Sequence, residues 1–263
     1  MVRHLEFTDK TALVTGAGSG IGRGAALMLA ASGAFVGLLG RTEVELRDTL
    51  AQIQSAGGNG MVLVADVSDD GAMKEAVSTL LEKRGALHMV VANAGVNGTW
   101  APIDDLTPEE FDQTIAINLR GTYLTLHHCV GPMKTTGGSI VVISSINGTR
   151  TFTTPGATAY SATKAAQLAM VQQLALELGR HGIRINAVCP GAIETSIDDN
   201  TATRGREMAE VAVEFPDGDI PLTGGEAGTI DEVADVIHFL LSPASRHVTG
   251  TPIWVDGGQS LLR

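Results

Sequence analysis

Apolar residues fall along this chain in two alternating patterns. Short continuous runs recur at 11–15, 34–39, 60–65, 87–92, 139–144, 183–188 and 252–255. Hydrophobicity that is continuous rather than alternating marks strands buried on both faces, the condition inside a parallel sheet covered by helices. Longer stretches with apolar positions at helical spacing lie between them, 43–55 and 69–83 among them. Two helix starts are written as capping boxes, Thr107-Pro108-Glu109-Glu110 and Thr229-Ile230-Asp231-Glu232. In each, the Thr hydroxyl can accept from the N–H three residues on, and the Glu can reach back to the Thr N–H. Pro108 occupies the first helical position, where its missing N–H costs nothing. Strand and helix alternate from end to end, so the pattern predicts an α/β fold: a doubly wound parallel sheet of about seven strands with helices on both faces.

One uncharged stretch, 24–40, runs between Arg23 and Arg41. It falls short of the ~18–20 apolar residues a membrane span needs, and Ser32-Gly33 breaks it, so it reads as a buried helix followed by a buried strand. No repeat or linker interrupts 1–263, which predicts one domain. The least regular segment, 196–228, is acidic and contains glycine, and is expected to form a lid-like surface excursion.

Composition narrows the functional classes. Thirty-two glycines with only 4% aromatics suit tight strand–helix turns rather than an aromatic ligand platform. A formal net charge of -11 supplies no basic stripe, which excludes nucleic acid as a partner and disfavours acidic protein partners. Cys129 and Cys189 form no Cys-x-x-Cys, and no Cys/His cluster has zinc spacing, so no metal is expected. His127 and His128, being adjacent, point to different helix faces. Unpatterned cysteines, and a first ten residues without an apolar signal core, lead to the expectation of a cytoplasmic protein with no membrane association.

Candidate chemistry lies in two places. Tyr160 and Lys164 stand four apart in A-Y-S-A-T-K-A-A-Q, hence on one helix face. A free phenol titrates near ~10. A fixed positive neighbour is expected to lower that value and make the tyrosine a usable acid or base. Upstream, Thr15-Gly16-Ala17-Gly18-Ser19-Gly20-Ile21-Gly22 follows the first strand and opens the first helix. Glycines there let the backbone approach a pyrophosphate, whose charge a helix N-terminus favours, as in a Rossmann-like fold.

Taken together, these pieces resemble the short-chain dehydrogenase/reductase family in its compact single-domain form, over nearly the whole chain. The resemblance implies a nicotinamide cofactor held by Gly16, Gly18, Ser19, Gly20, Ile21 and Gly22. It adds Asp66 with Val67 at the adenine, and Asn93-Ala94-Gly95 after the fourth strand. Pro190, Gly191, Ile193 and Thr195 would wrap the nicotinamide end, with Tyr160 and Lys164 also touching the cofactor. It implies catalysis by Asn118, Ser145, Tyr160 and Lys164, with Asn118 holding a water that links Lys164 to solvent. Ser144 is the alternative to Ser145, because the loop from there to Tyr160 is slightly longer than is common in the family. That loop is expected to shape the substrate pocket through Asn147, Phe152 and several threonines.

The implied reaction is hydride transfer between a nicotinamide cofactor and a secondary alcohol or ketone. Leu39-Gly40-Arg41-Thr42 carries no acid for a ribose 2′-hydroxyl, so Arg41 and Thr42 lean to the 2′-phosphate of NADP over NAD. Ser19 pulls the other way, standing where NADP-preferring relatives often carry a base. Leu176, where acyl-carrier reductases often place arginine, argues with the net charge against a 3-oxoacyl-thioester reductase. Neutral or hydroxylated substrates are expected to fit best. Epimerisation or dehydration on the same scaffold, or a catalytically silent cofactor-binding or interaction protein, are the remaining alternatives; retention of both Tyr160 and Lys164 weighs against silence. The C-terminal T-G-T-P-I-W-V-D-G-G-Q resembles the edge through which relatives form homotetramers or homodimers.

Overall fold

The computed structural model describes residues 6–195, 201–213, 215 and 218–262. In chain order the elements are β1 (Thr11–Thr15), α1 (Gly20–Ala31), β2 (Phe35–Gly40), α2 (Glu43–Ser55), β3 (Asn59–Val64), α3 (Asp70–Arg84), β4 (Met89–Ala92) and β5 (Gly98–Trp100). There follow α4 (Pro108–Thr114), a π-helical turn (Ile115–Arg120), α5 (Gly121–Met133), β6 (Gly138–Ile143), α6 (Thr158–Gly179), β7 (Ile183–Pro190), β8 (Thr201–Thr203), α7 (Ile230–Leu241) and β9 (Pro252–Val255).

Seven strands form one parallel sheet in the order β3-β2-β1-β4-β6-β7-β9. The chain winds outward in one direction from β1 and in the other from β4, so the order reverses between those two strands. Neighbouring crossovers there leave to opposite faces, and a crevice opens beyond the strands' carboxyl ends. Each expected strand is present, with ends shifted by up to two residues. The uncharged 24–40 stretch is α1 followed by β2, as expected.

Side chains alternate along each strand, so the sheet has two cores. Leu13, Leu39, Leu63 and Ile185 face Met73, Leu80, Leu124 and Leu178 of α3, α5 and α6. Val14, Val36 and Leu38 face Leu29, Leu46, Ile53 and Ile237 of α1, α2 and α7. Each fully buried side chain of this size contributes roughly 1.5–3 kcal/mol relative to exposure.

Both capping boxes form. Thr107 Oγ1 accepts from the Glu110 N–H and Glu110 Oε2 accepts from the Thr107 N–H at 3.0 Å; Thr229 and Glu232 repeat the exchange. Asp69 caps α3 by accepting from the Ala72 N–H at 2.9 Å. His128 pairs with Asp70 at 2.8 Å and His127 packs against Tyr123, and no metal-ligand cluster exists among the described residues.

One element escaped the sequence pattern. β5 and β8 pair in parallel as a separate two-stranded sheet beside the main one. Three residues each are too few to show a period. β8 opens the described part of the expected excursion; residues 196–200, with Asp198 and Asp199, and Glu214 lie outside the described residues.

Candidate active site

At the carboxyl end of β1 the backbone turns at Gly16 with φ +67°. A Cβ at Gly22 would collide with the Gly16 carbonyl oxygen, so the loop and the first turn of α1 approach as only glycine allows. Thr15 locks this turn to β4: its hydroxyl accepts from the Asn93 and Ala94 N–H groups, each at 3.0 Å. Asn93 returns the contact, donating to the Thr15 carbonyl at 3.0 Å. The Ser19 hydroxyl makes no cap bond, and the open N-terminus of α1 faces a cavity of about 770 Å³ lined by Gly16, Ser19, Gly20 and Ile21. This cradle of free N–H groups and absent side chains fits a dinucleotide pyrophosphate.

The same cavity runs along the sheet's carboxyl edge to Ser145, Tyr160 and Lys164. Ser145 follows β6; its hydroxyl accepts from the Asn147 N–H at 3.1 Å and lies near enough to the Tyr160 phenol to favour its ionised form. Ser144 is turned away, donating to the Lys164 carbonyl at 2.9 Å. Of the two serines, therefore, only Ser145 presents its hydroxyl to the tyrosine. Tyr160 and Lys164 sit one turn apart on α6, both buried. Lys164 Nζ donates to the Ile143 carbonyl at 2.9 Å and lies 5.4 Å from the Tyr160 ring centroid.

Burial overturns one electrostatic expectation. The lysine was expected to lower the tyrosine's pKa. Instead, loss of water pushes the Tyr160 phenol up to about 12, against the opposing hydrogen bond from Ser145. Burial likewise pushes Lys164 down to about 8. Removal from water disfavours each charged form, and the ammonium is aimed at a carbonyl rather than at the phenolic oxygen. Cys189, on β7 beneath the pair, is pushed up to about 11 by burial, which leaves its thiol protonated.

Asn118 lies in the π turn, fully buried. Its Oδ1 accepts from the Val96 N–H at 2.8 Å, and its amide donates to the Val96 carbonyl at 2.8 Å and to Thr163 Oγ1 at 3.3 Å. Both amide hydrogens are thus engaged within the protein, fastening the segment after β4 to α6. Its own backbone carbonyl accepts from Gln167 Nε2 at 2.9 Å.

Most of the expected site residues meet in the cavity: Asn93, Ala94, Gly95, Pro190, Gly191, Ile193 and Thr195 join those already named. Gly18, Gly22, Arg41, Thr42, Asp66, Val67 and Asn118 are not in its lining. Arg41 stands at the end of β2, exposed, 3.8 Å from Asp66. Burial tends to raise the Asp66 pKa, but the Ser68 hydroxyl and N–H, with Arg41, hold it below the usual carboxylate range. Asn147, Thr151, Thr153 and Thr154 line the substrate side as expected, whereas Phe152 does not; it is 73% exposed. Sequence reasoning missed Trp100 and Arg206 as site residues. Trp100 and Arg206 line the cavity, and the Trp100 ring lies 6.4 Å from that of Tyr160. A tryptophan in a three-residue strand had no periodicity to announce it.

Comparison with known proteins identifies the family and fold. The family profile described as enoyl-(acyl carrier protein) reductase matches residues 16–260. Levodione reductase of Leifsonia aquatica is 36% identical over 97% of this chain and 95% of its own. A solved structure described as a 3-ketoacyl-ACP reductase from Sinorhizobium meliloti 1021 is 60% identical, covering 96% of this chain and 100% of that one with a TM-score of 0.92. Another, a 3-ketoacyl-(acyl-carrier-protein) reductase from Brucella melitensis complexed with NADH, is 30% identical over 97% and 99% of the chains, with a TM-score of 0.84.

Proposed function

Because the chain belongs to the short-chain dehydrogenase/reductase family of NAD(P)-dependent oxidoreductases acting on CH–OH or carbonyl groups, we propose that Tyr160, Ser145, Lys164 and Asn118 interconvert a secondary alcohol and a ketone. The observation that carries this reading is that the Ser145 hydroxyl and the Lys164 side chain flank a buried phenol, in one cavity with the glycine loop. A bound nicotinamide supplies or accepts the hydride. Tyr160 donates a proton to the nascent alkoxide; a phenol held near about 12 keeps its proton across the neutral range and so rests as the acid. Ser145 hydrogen-bonds the substrate oxygen and shares its developing charge. Lys164, still largely protonated at pH 7, holds positive charge beside the phenol and stabilises it when it gives up its proton. Asn118 is a positioning residue that acts through Val96 and Thr163.

Tyr160→Phe removes the proton donor and is expected to lower kcat by a factor on the order of 10²–10⁴ with cofactor affinity near that of the parent. Full activity of that variant on an identified substrate would show the mechanism to be wrong. For the cofactor, the exposed Arg41 and the lack of an acid at Gly40 support NADP. Arg41→Ala should then raise KM for NADPH more than for NADH. The segment 196–228, of which 201–213, 215 and 218–228 are described, is read as lid-like over one catalytic domain, and edge strand β9 as part of the contact that forms a homotetramer or homodimer in the cytoplasm.

Reduction of a 3-oxoacyl thioester is the second reading, favoured by the 60% identical structure. Leu176, 84% exposed where such enzymes are expected to offer a basic residue for a carrier, is the observation against it. Turnover of acetoacetyl-CoA at a kcat/KM well above that of simple ketones would favour the thioester.

A further inference from the structure

Two arginines flank a glycine after β8, and the structure sends them to opposite fates. Gly205 has φ +55°, the left-handed region, and a Cβ there would stand 2.9 Å from the Met208 methyl. Arg204, before it, turns outward to the start of α4. Its Nε donates to Asp105 Oδ2 at 2.9 Å and its two terminal nitrogens reach Glu110 Oε1 and Oε2, each at 2.9 Å. Arg206, after the glycine, turns inward. It lines the cavity, half-buried, with its guanidinium carbon 5.1 Å from the Trp100 ring centroid, and it forms no ion pair among the described residues.

The support under Arg206 is fixed. Trp100 Nε1 donates to the Asn97 carbonyl at 3.1 Å, and the Arg204 N–H donates to the Trp100 carbonyl at 3.0 Å. Strand β5 is paired with β8, so Trp100 is held opposite Thr203. The indole therefore has Tyr160 as a neighbour in one direction and Arg206 in another. Other charges at the cavity do not answer the guanidinium. Asp219 accepts from Gln259 Nε2 at 3.1 Å, Glu194 is exposed, and Lys164 is tied to Ile143. The lining also includes the neutral Asn147, Thr153 and Thr154.

A guanidinium resting on an aromatic ring keeps its N–H edge free, and that planar fork matches carboxylate and phosphate oxygens bidentately. We propose that Arg206 is a specificity-determining residue that binds an anionic group, carboxylate or phosphate, on the far end of the alcohol or ketone whose oxygen meets Tyr160 and Ser145. This rests on the oxidoreductase reading above. It reverses the expectation of a neutral substrate, which followed from overall charge; at the cavity wall beside Trp100 stands a guanidinium with no ion pair among the described residues, in an acidic chain.

Matched probes test it: 4-oxopentanoate against its methyl ester, and dihydroxyacetone phosphate against dihydroxyacetone, with NADPH and with NADH. In the parent protein the charged member of at least one pair should have the higher kcat/KM, and which pair responds distinguishes carboxylate from phosphate. Arg206→Gln should lower the charged-to-neutral ratio by about 10- to 100-fold, mainly through KM, the range for a charge-assisted hydrogen bond, and Arg206→Lys should restore part of it. Equal parent kinetics within both pairs, or a ratio unmoved by Arg206→Gln, overturns the proposal. Failure of the underlying reading looks different: no carbonyl is reduced with either cofactor. Tryptophan emission then decides the clamp separately. Quenching on adding 4-oxopentanoate or dihydroxyacetone phosphate to the NADP⁺-loaded protein, lost in Arg206→Gln, upholds anion binding beside Trp100; no Arg206-dependent change refutes it.

Discussion

Replacing Lys164 with Met should make the protein inactive and, at the same time, erase a pH dependence of its stability. Lys164 is 4% exposed and its pKa falls from an ordinary 10.5 to about 8 through burial. Between those values the unfolded chain binds a proton that the folded chain does not, so folding stability rises with pH and is lost as pH falls toward 8. The slope approaches ~1.4 kcal/mol per pH unit, and integrating from pH 7.5 to 9.5 yields a gain of about 2 kcal/mol for the parent. Met fills similar volume and cannot titrate. Tyr160 and Cys189 act with the opposite sign, because burial raises both and their contribution weakens above pH 9–10. Both remain in the variant; burial, which dominates their shifts, is common to the two proteins, and only the smaller Coulombic coupling of Cys189 to Lys164 is left in the difference. The assay is urea unfolding of parent and Lys164→Met, without cofactor, at half-unit steps over that range. Parent minus variant should climb by about 2 kcal/mol. Parallel pH profiles would refute the claim that Lys164 is a charge held at the expense of stability.

Other substitutions probe the framework. Thr15→Val strands the Asn93 and Ala94 N–H groups and should cost about 2–4 kcal/mol in chemical denaturation, with Thr15→Ser largely restoring it. Gly22→Ala drives a methyl into the Gly16 carbonyl, so equilibrium dialysis should show cofactor affinity reduced at least ~10-fold, with ~1–3 kcal/mol of strain in the fold. Asn118→Ala frees both polar groups of Val96 and should lower kcat more than cofactor affinity. Arg204→Ala releases β8 from Asp105 and Glu110; limited proteolysis should then cut within 201–213 faster than in the parent.

Much of this molecule was legible in the order of its residues. Continuous apolar runs specify buried parallel strands because such strands are dehydrated on both faces, and all seven are present. Thr107 and Thr229 announce helix starts because capping is settled within four residues. Tyr160 and Lys164 share a helix face for the same local reason, and the glycine loop needed only the strand before it and the helix after it. What local spacing does not contain is direction and burial. Ser144 and Ser145 are adjacent in the chain, yet one hydroxyl bonds the Lys164 backbone carbonyl and the other faces the Tyr160 phenol, a choice made by the end of β6 against a helix that begins at Thr158. The pKa of the Tyr160–Lys164 pair depends on how much water the surrounding fold removes, and that reversed the sign expected from spacing alone. Arg204 and Arg206 carry the same charge two positions apart. A left-handed glycine, a three-residue strand pairing and a tryptophan about a hundred positions earlier in the chain leave the first neutralised at the surface and the second in the cavity with no ion pair among the described residues. Sequence determines which groups the site has, because secondary structure and capping are short-range; tertiary structure decides what those groups face, because charge, solvation and side-chain direction are set by segments distant in the chain.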